Sequence, residues 1–156
     1  MRRKDREITD PEKIREIIAD CQCCRLAFCD QGKAYIVPLS FGYAEQDGKF
    51  VFYFHSAQEG RKLDLIRRTG YAGFEMDTHY KLNESETACG WSARFRSVIG
   101  GGRVSIVEAE AEKREGLQFI MGHLTGKDQW EFDENMLKAV CVFKLEVEEL
   151  ACKEHQ

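Results

Sequence analysis

Two rhythms of apolar residues run along this chain. Ile14, Ile17 and Ile18 recur at helical spacing behind Asp10-Pro11, an N-cap followed by a first-turn proline, so the pattern predicts a helix from residue 11. From residue 25 the period falls to two. Leu26 and Phe28 alternate with Arg25 and Ala27, then Asp30-Gln31-Gly32-Lys33 reads as a tight turn. Ala34 to Tyr43 reads as a second strand, placed at an edge or bulge by Pro38. Gln46-Asp47-Gly48 is a hairpin turn, and beyond it Phe50, Phe52 and Phe54 share one strand face while Val51, Tyr53 and His55 share the other.

A short helix is predicted from about Arg61 to Arg68, with Gly70 as its stop. Ala72, Phe74 and Met76 then line one face of a strand. Periodicity is weak from Thr78 to Trp91, with room for a short strand around Tyr80-Lys81-Leu82. Arg94 to Glu108 is extended and broken by Gly100-Gly101-Gly102, a bulge or bend. Leu117, Ile120, Met121 and Leu124 are helical in spacing before Gly126, and a last strand covers Val140 to Leu150 with Cys141, Phe143, Leu145 and Val147 inward. Residues 1–9 and 151–156 read as loose tails. Hairpin turns imply antiparallel pairing, and a curled sheet that closes on itself removes its edges. The expectation is a mainly β fold, a small antiparallel barrel with flanking helices, in one domain spanning 1–156.

Composition narrows the function. A net charge of −4 over 156 residues argues against nucleic acid, which needs a basic face. No apolar run approaches the ~20 residues of a membrane span, and the charged N-terminus lacks a leader-like apolar stretch. A cytoplasmic protein is expected. The seven cysteines are odd in number and fit no disulfide framework. Cys21-x-Cys23-Cys24 lacks the paired spacing of a zinc site. These thiols read as buried or incidental, with a thiol-based redox or metal sensor as the alternative, and no metal site is expected.

Residues 53–65 carry the chemistry. An aromatic strand runs into His55-Ser56, a glycine follows, and Arg61-Lys62 opens a helix. Cations in a first helical turn oppose the helix dipole unless an anion sits beside them, and first-turn N–H groups are themselves anion donors. Arg61 and Lys62 are therefore candidate phosphate ligands, against the alternative of a solvated helix start. His55 is either a polar group lining a cofactor or a hydrogen-bonded strand end. Ser97 lies in Arg94-Phe95-Arg96-Ser97, where two guanidiniums and a hydroxyl could complete an anion site only if the strand bulges. The glycine triplet lacks dinucleotide-motif spacing.

At these residues the chain resembles a known family. Met-Arg-Arg-Lys-Asp-Arg-Glu-Ile at the start, Cys-Arg-Leu-Ala at 24–27, Tyr-Ile-Val-Pro-Leu-Ser-Phe-Gly at 35–42, Phe-His-Ser-Ala at 54–57, Glu-Gly-Arg-Lys-Leu-Asp-Leu-Ile at 59–66 and Arg-Ser-Val-Ile-Gly at 96–100 resemble the nitroimidazole-resistance (Nim) type of pyridoxamine 5′-phosphate oxidase-like flavoproteins. The resemblance covers nearly the whole chain in order. It implies a split β-barrel homodimer with FMN between subunits. Arg61 and Lys62 match the basic pair on the FMN phosphate. Val37, Pro38, Leu39 and Ser40 match the strand along the isoalloxazine ring. His55 and Ser56 match the strand end near ring and phosphate, with His55 as the candidate catalytic residue. Ser97 and Val98 match the segment closing the site.

What the resemblance implies is an FMN-dependent oxidoreductase that takes electrons from NADH or NADPH and passes them to a small acceptor, a nitroaromatic (nitroimidazole) or quinone. The alternative is a non-catalytic protein of the same fold holding FMN or haem, with His55, His79 or His123 as axial ligand. The chain departs from vitamin-oxidising relatives in ending Glu-Glu-Leu-Ala-Cys-Lys-Glu-His-Gln, without their arginine-rich substrate segment. The residue at Gly101 is often bulkier in relatives, and the Cys21, Cys23, Cys24 cluster is no family feature.

Overall fold

The computed structural model describes residues 3–156; Met1 and Arg2 of the expected N-terminal tail lie outside the described residues. Strand β1 (Glu7–Ile8) precedes helix α1 (Pro11–Asp20), whose N-cap Asp10 accepts from the Glu12 N–H at 3.1 Å. Then come β2 (Cys24–Asp30), β3 (Lys33–Leu39), β4 (Gly42–Gln46), β5 (Lys49–Ala57), α2 (Arg61–Thr69), β6 (Tyr71–Asn83), β7 (Ser92–Ile106), α3 (Glu110–Thr125), α4 (Glu134–Ala139) and β8 (Val140–His155).

All eight strands belong to one sheet whose order is β3-β2-β6-β7-β8-β5-β4, with β1 on β8, and every pairing is antiparallel. Both tight turns use two left-handed residues, Gln31-Gly32 (φ 52° and 78°) and Asp47-Gly48 (φ 51° and 75°), the mirror-image hairpin geometry that matches strand twist. The sheet curls around a core that includes Ile17 and Ile18 of α1, Leu63 and Ile66 of α2, and Phe52, Phe54, Phe74, Val98 and Phe143 of the strands. On the other face of β5, Val51 and Tyr53 pack with Leu117 and Ile120 of α3 and Leu137 of α4.

The expected closure does not occur. β3 and β4 end the hydrogen-bonded path without pairing with each other, so the barrel is split. The single strand expected over 34–43 is broken at Ser40-Phe41. Phe41 turns fully into the core, and Gly42 lies so close to α3 that an added Cβ would stand 2.2 Å from the Phe119 and Ile120 backbone. Pro38 sits on edge strand β3, where a missing N–H is tolerated. The glycine triplet is a bulge, with the β7–β8 register shifting between Gly101 and Gly102.

The tails are corrected. Residues 151–155 are not loose: β8 runs to His155 and pairs with β7 from Phe95↔His155 to Ile106↔Phe143. Cys152 is buried, Glu154 pairs with Arg96 at 2.7 Å, and the His155 ring bonds Arg6 and the Ala93 carbonyl. The polar side chains that resemble a tail are thus satisfied by partners distant in sequence. At the other end Glu7–Ile8 pair with Lys153 and Cys152. Helix α4, capped by Asp133, is too short for its apolar spacing to stand out.

Candidate functional site

β5 ends in His55 and Ser56, and alternation sends their side chains to opposite faces. Ser56 stands across from Cys141 on the α2 side, half-buried, its hydroxyl donating to the Ala57 carbonyl at 2.8 Å. His55 stands across from Val142, on the face that carries α3 and α4, and is exposed.

Gly60 then caps α2 at φ 139° with open space where a Cβ would be. This is a conformation for which glycine is suited. Its carbonyl takes the N–H groups of Leu63 (2.9 Å) and Asp64 (3.2 Å). The N–H groups of Arg61 and Lys62 have no intrahelical acceptor, and no side chain caps the helix. Leu63, Leu65 and Ile66 bury the opposite face and fix the helix on the sheet.

The two cations differ. Arg61 donates from Nε and Nη2 to one oxygen of Asp30 at 3.0 and 2.9 Å, with its guanidinium 4.4 Å above the Tyr35 ring. Arg68, two turns along α2, reaches the other oxygen of the same carboxylate. Hydrogen bonds from Arg61 and Arg68 hold the Asp30 carboxyl below the usual carboxylate range. Lys62 has no ion-pair partner among the described residues and is half-buried. Burial pushes the Cys141 thiol up, and the charges of Lys113, Arg67 and Lys62 pull it back.

Arg61 thereby ties α2 to the start of β3. Tyr35, Val37 and Leu39 turn toward the core and are half-buried, while Ile36, Pro38 and Ser40 are exposed. The outer edge of β3 pairs with no strand among the described residues, so its outward backbone donors and acceptors are left unpaired by the sheet.

Ser97 and Val98 do not join this group within one chain. Val98 is a core residue at 0% exposure, and its strand is paired on both sides, to β6 and β8. Ser97 lies opposite Asp77 and Lys153. Ala27 pairs with Gly73, so Asp30 sits near the level of Gly70, seven residues along β6 from Ser97's partner. At ~3.3 Å per residue that is about 20 Å along the sheet. β7 also lies three strands from β3.

A family model described as pyridoxamine 5′-phosphate oxidase matches residues 10–154. The chain belongs to the pyridoxamine 5′-phosphate oxidase family. A crystal structure of a candidate 5-nitroimidazole antibiotic resistance protein from Bacteroides thetaiotaomicron is 32% identical, with 95% of this chain and 86% of that chain covered and a TM-score of 0.80. The flavocytochrome Anf3 of Azotobacter vinelandii shares the fold at 19% identity, covering 100% of this chain and 72% of that one, with a TM-score of 0.80. An FAD- and haem-binding protein of Mycobacterium smegmatis shares it at 15% identity, covering 97% and 74%, with a TM-score of 0.83. No curated protein matches the chain.

The residues of this family member fit a flavin phosphate at α2: two open N–H groups, an unpaired ammonium, and space over Gly60. As haem ligands the histidines differ. His123 Nε2 lies 2.7 Å from the Cys21 carbonyl and its ring packs on Phe41 and Tyr43, so that nitrogen is taken. His79 Nε2 lies 3.4 Å from Asp20. Of the cysteines expected to be buried or incidental, Cys21, Cys24, Cys141 and Cys152 are buried, and burial pushes the Cys21 thiol up to about 12 and Cys24 higher still. Asp30 and Tyr35 escaped the sequence reading, which saw in Asp30 only a turn residue. A carboxylate ahead of Gly-Lys and an aromatic two residues after it carry no motif of their own.

Proposed function

We propose that this protein is an FMN-dependent oxidoreductase whose cofactor phosphate is held at the start of α2, with NADH or NADPH as electron donor. The observation that carries the reading is the uncapped helix start with its two open N–H groups beside the unpaired Lys62, in a family whose model matches residues 10–154. Bound there, FMN supplies the capacity to accept an electron pair from a reduced nicotinamide and deliver it to a small nitroaromatic or quinone acceptor. Lys62 and the Arg61 and Lys62 N–H groups bind the phosphate. Ser56 adds a hydroxyl by turning its proton from the Ala57 carbonyl to the phosphate, and Arg61, steadied by Asp30 and Tyr35, contributes positive charge from the flank. Val37, Pro38, Leu39 and Ser40 offer the open edge of β3 to the ring.

Ser97 and Val98 lie too far from Arg61 to close the same site in one chain, which favours a homodimer in which they come from the second copy. Exposed Ile36 (61%) beside the β3 edge and Ile99 (47%) beside Ser97 suit burial in such an interface. His55 is exposed and without a hydrogen-bonding partner among the described residues, which supports assigning it the transfer of a proton to an acceptor. The test is the absorption spectrum and the mass of the small molecule released on denaturing the purified protein. Flavin bands and the mass of FMN are expected. A colourless protein that takes up no added FMN overturns the reading, and a Soret band favours haem.

A further inference from the structure

A cavity of about 510 Å3 opens where α3 passes β4, a size typical of small-molecule sites. It is lined by Tyr43 of β4, by Gln118, Phe119, Gly122 and His123 of α3, and by Asp128 of the loop that follows. No residue of α2 or β3 lines it. The loop is folded back on the helix. The Gly126 N–H donates to the Gly122 carbonyl at 2.8 Å. Gln118 holds both backbone groups of Trp130, its Nε2 donating to the carbonyl at 2.5 Å and its Oε1 accepting from the N–H at 3.0 Å. Asp128 lies between these two anchors and is thereby brought to the cavity wall.

The polar atoms left over are of one kind. The Gln118 amide is spent on Trp130. His123 Nε2 lies 2.7 Å from the Cys21 carbonyl, which can only accept, so that nitrogen carries the hydrogen. In the neutral ring Nδ1 is then a bare acceptor. The Asp128 carboxylate has no ion-pair partner among the described residues, and the neighbouring Lys127 ammonium stands instead over the Trp130 ring, 5.3 Å from its centre. No lysine or arginine lines the cavity. The rest of the wall is aromatic: the Tyr43 and His123 rings meet edge to face at 5.6 Å, and Phe119 packs on Tyr53 at 5.4 Å. Gly122 leaves room between helix and loop, since a Cβ there would find only the Lys127 carbonyl oxygen, at 3.7 Å.

We propose that this cavity binds a protonated aromatic amine, with its ammonium on Asp128 and its ring against the aromatic wall of Tyr43 and Phe119. A free carboxylate and aromatic faces both favour a cation. An anion would meet acceptors and no basic residue. The proposal does not depend on the flavin reading, since Arg61 and Lys62 take no part in the cavity.

2-Phenylethylamine is a suitable probe, with 2-phenylethanol as its uncharged counterpart and 3-phenylpropionate as its anionic one. Each is titrated by calorimetry into the full-length protein at neutral pH with FMN present in excess. The wild type is expected to bind the amine at least about tenfold more tightly than the alcohol, and the carboxylate least of all. Asp128→Asn, an exposed loop change, should remove that preference and leave binding of the alcohol unchanged. Gly122→Leu should abolish binding of both by filling the space between helix and loop. Arg61→Ala with Lys62→Ala should leave the preference intact. The inference is overturned if no saturable amine binding occurs, if amine and alcohol bind alike, if Asp128→Asn keeps the preference, or if the amine binds only when FMN is left out. That last result would assign the amine to the flavin site and leave the flavin reading standing.

Discussion

The Arg61 guanidinium and the Asp30 carboxylate are joined by two hydrogen bonds of 3.0 and 2.9 Å to one carboxylate oxygen, tying the first turn of α2 to the β2–β3 hairpin. Because Arg61 and Arg68 lower the Asp30 pKa in the folded state, the ionised carboxylate contributes stability above the unfolded pKa of about 4, and loses it as pH falls through the lower folded value. Asp30→Asn should therefore lower the melting temperature near neutral pH, with the gap closing below about pH 4. High salt should narrow it too, since both arginines are half exposed. Thermal melts across pH check this; a gap that stays constant into strong acid contradicts it.

Two glycines of the α3 region should respond in opposite directions to the same change. An alanine at Gly42 drives its Cβ into the α3 backbone at 2.2 Å, whereas at Gly122 the nearest atom is the Lys127 carbonyl at 3.7 Å. Gly42→Ala should cost about 1–3 kcal/mol through overpacking. Gly122→Ala, inside a helix, should stabilise by ~0.5–1 kcal/mol. Denaturant unfolding measures both, and a neutral Gly42→Ala would contradict the close approach.

Of the seven cysteines, Cys21, Cys24, Cys141 and Cys152 are buried. Burial raises the thiol of Cys21 to about 12 and that of Cys152 to about 11, so little thiolate forms at neutral pH. A thiol reagent should modify Cys23, Cys29 and Cys89 in the native protein and reach the others only after unfolding. Rapid native labelling of Cys21 or Cys24 would contradict this and revive a sensor role.

His55 and Ser56 point to opposite faces of β5, and only Ser56 is on the face of the core that α2 covers. His55→Asn should therefore lower turnover of a nitroaromatic acceptor by about 100-fold or more, the scale of a lost general acid, while FMN affinity stays within about twofold. An equal fall in affinity would place His55 in the phosphate site instead.

Local chemistry made much of this fold legible. Gly32, Gly48 and Gly70 mark their turns and helix end at positive φ, and the alternation of Phe50, Phe52 and Phe54 against Val51, Tyr53 and His55 gives β5 its two faces. The break at Ser40-Phe41 was not legible, because it depends on α3 packing against Gly42. Nor was the strand at 151–155, since Glu154 and His155 look solvent-facing until Arg96 and Arg6 are placed beside them. In the site, Arg61 and Lys62 announced themselves by sitting against the helix dipole. Their division of labour did not, because Asp30 lies 31 residues from Arg61 in the chain. The distance of Ser97 from the α2 start follows from strand order, which no local pattern states.

The most direct test compares FMN with riboflavin, which differs only in lacking the phosphate, by flavin-fluorescence titration of apoprotein. Wild type should prefer FMN strongly. Arg61→Ala with Lys62→Ala should weaken FMN binding by tenfold or more, since charged hydrogen bonds contribute about 1.5–3 kcal/mol each, and leave riboflavin binding unchanged. Equal affinity of wild type for the two flavins, or an FMN curve untouched by the double substitution, would contradict a phosphate held at the start of α2.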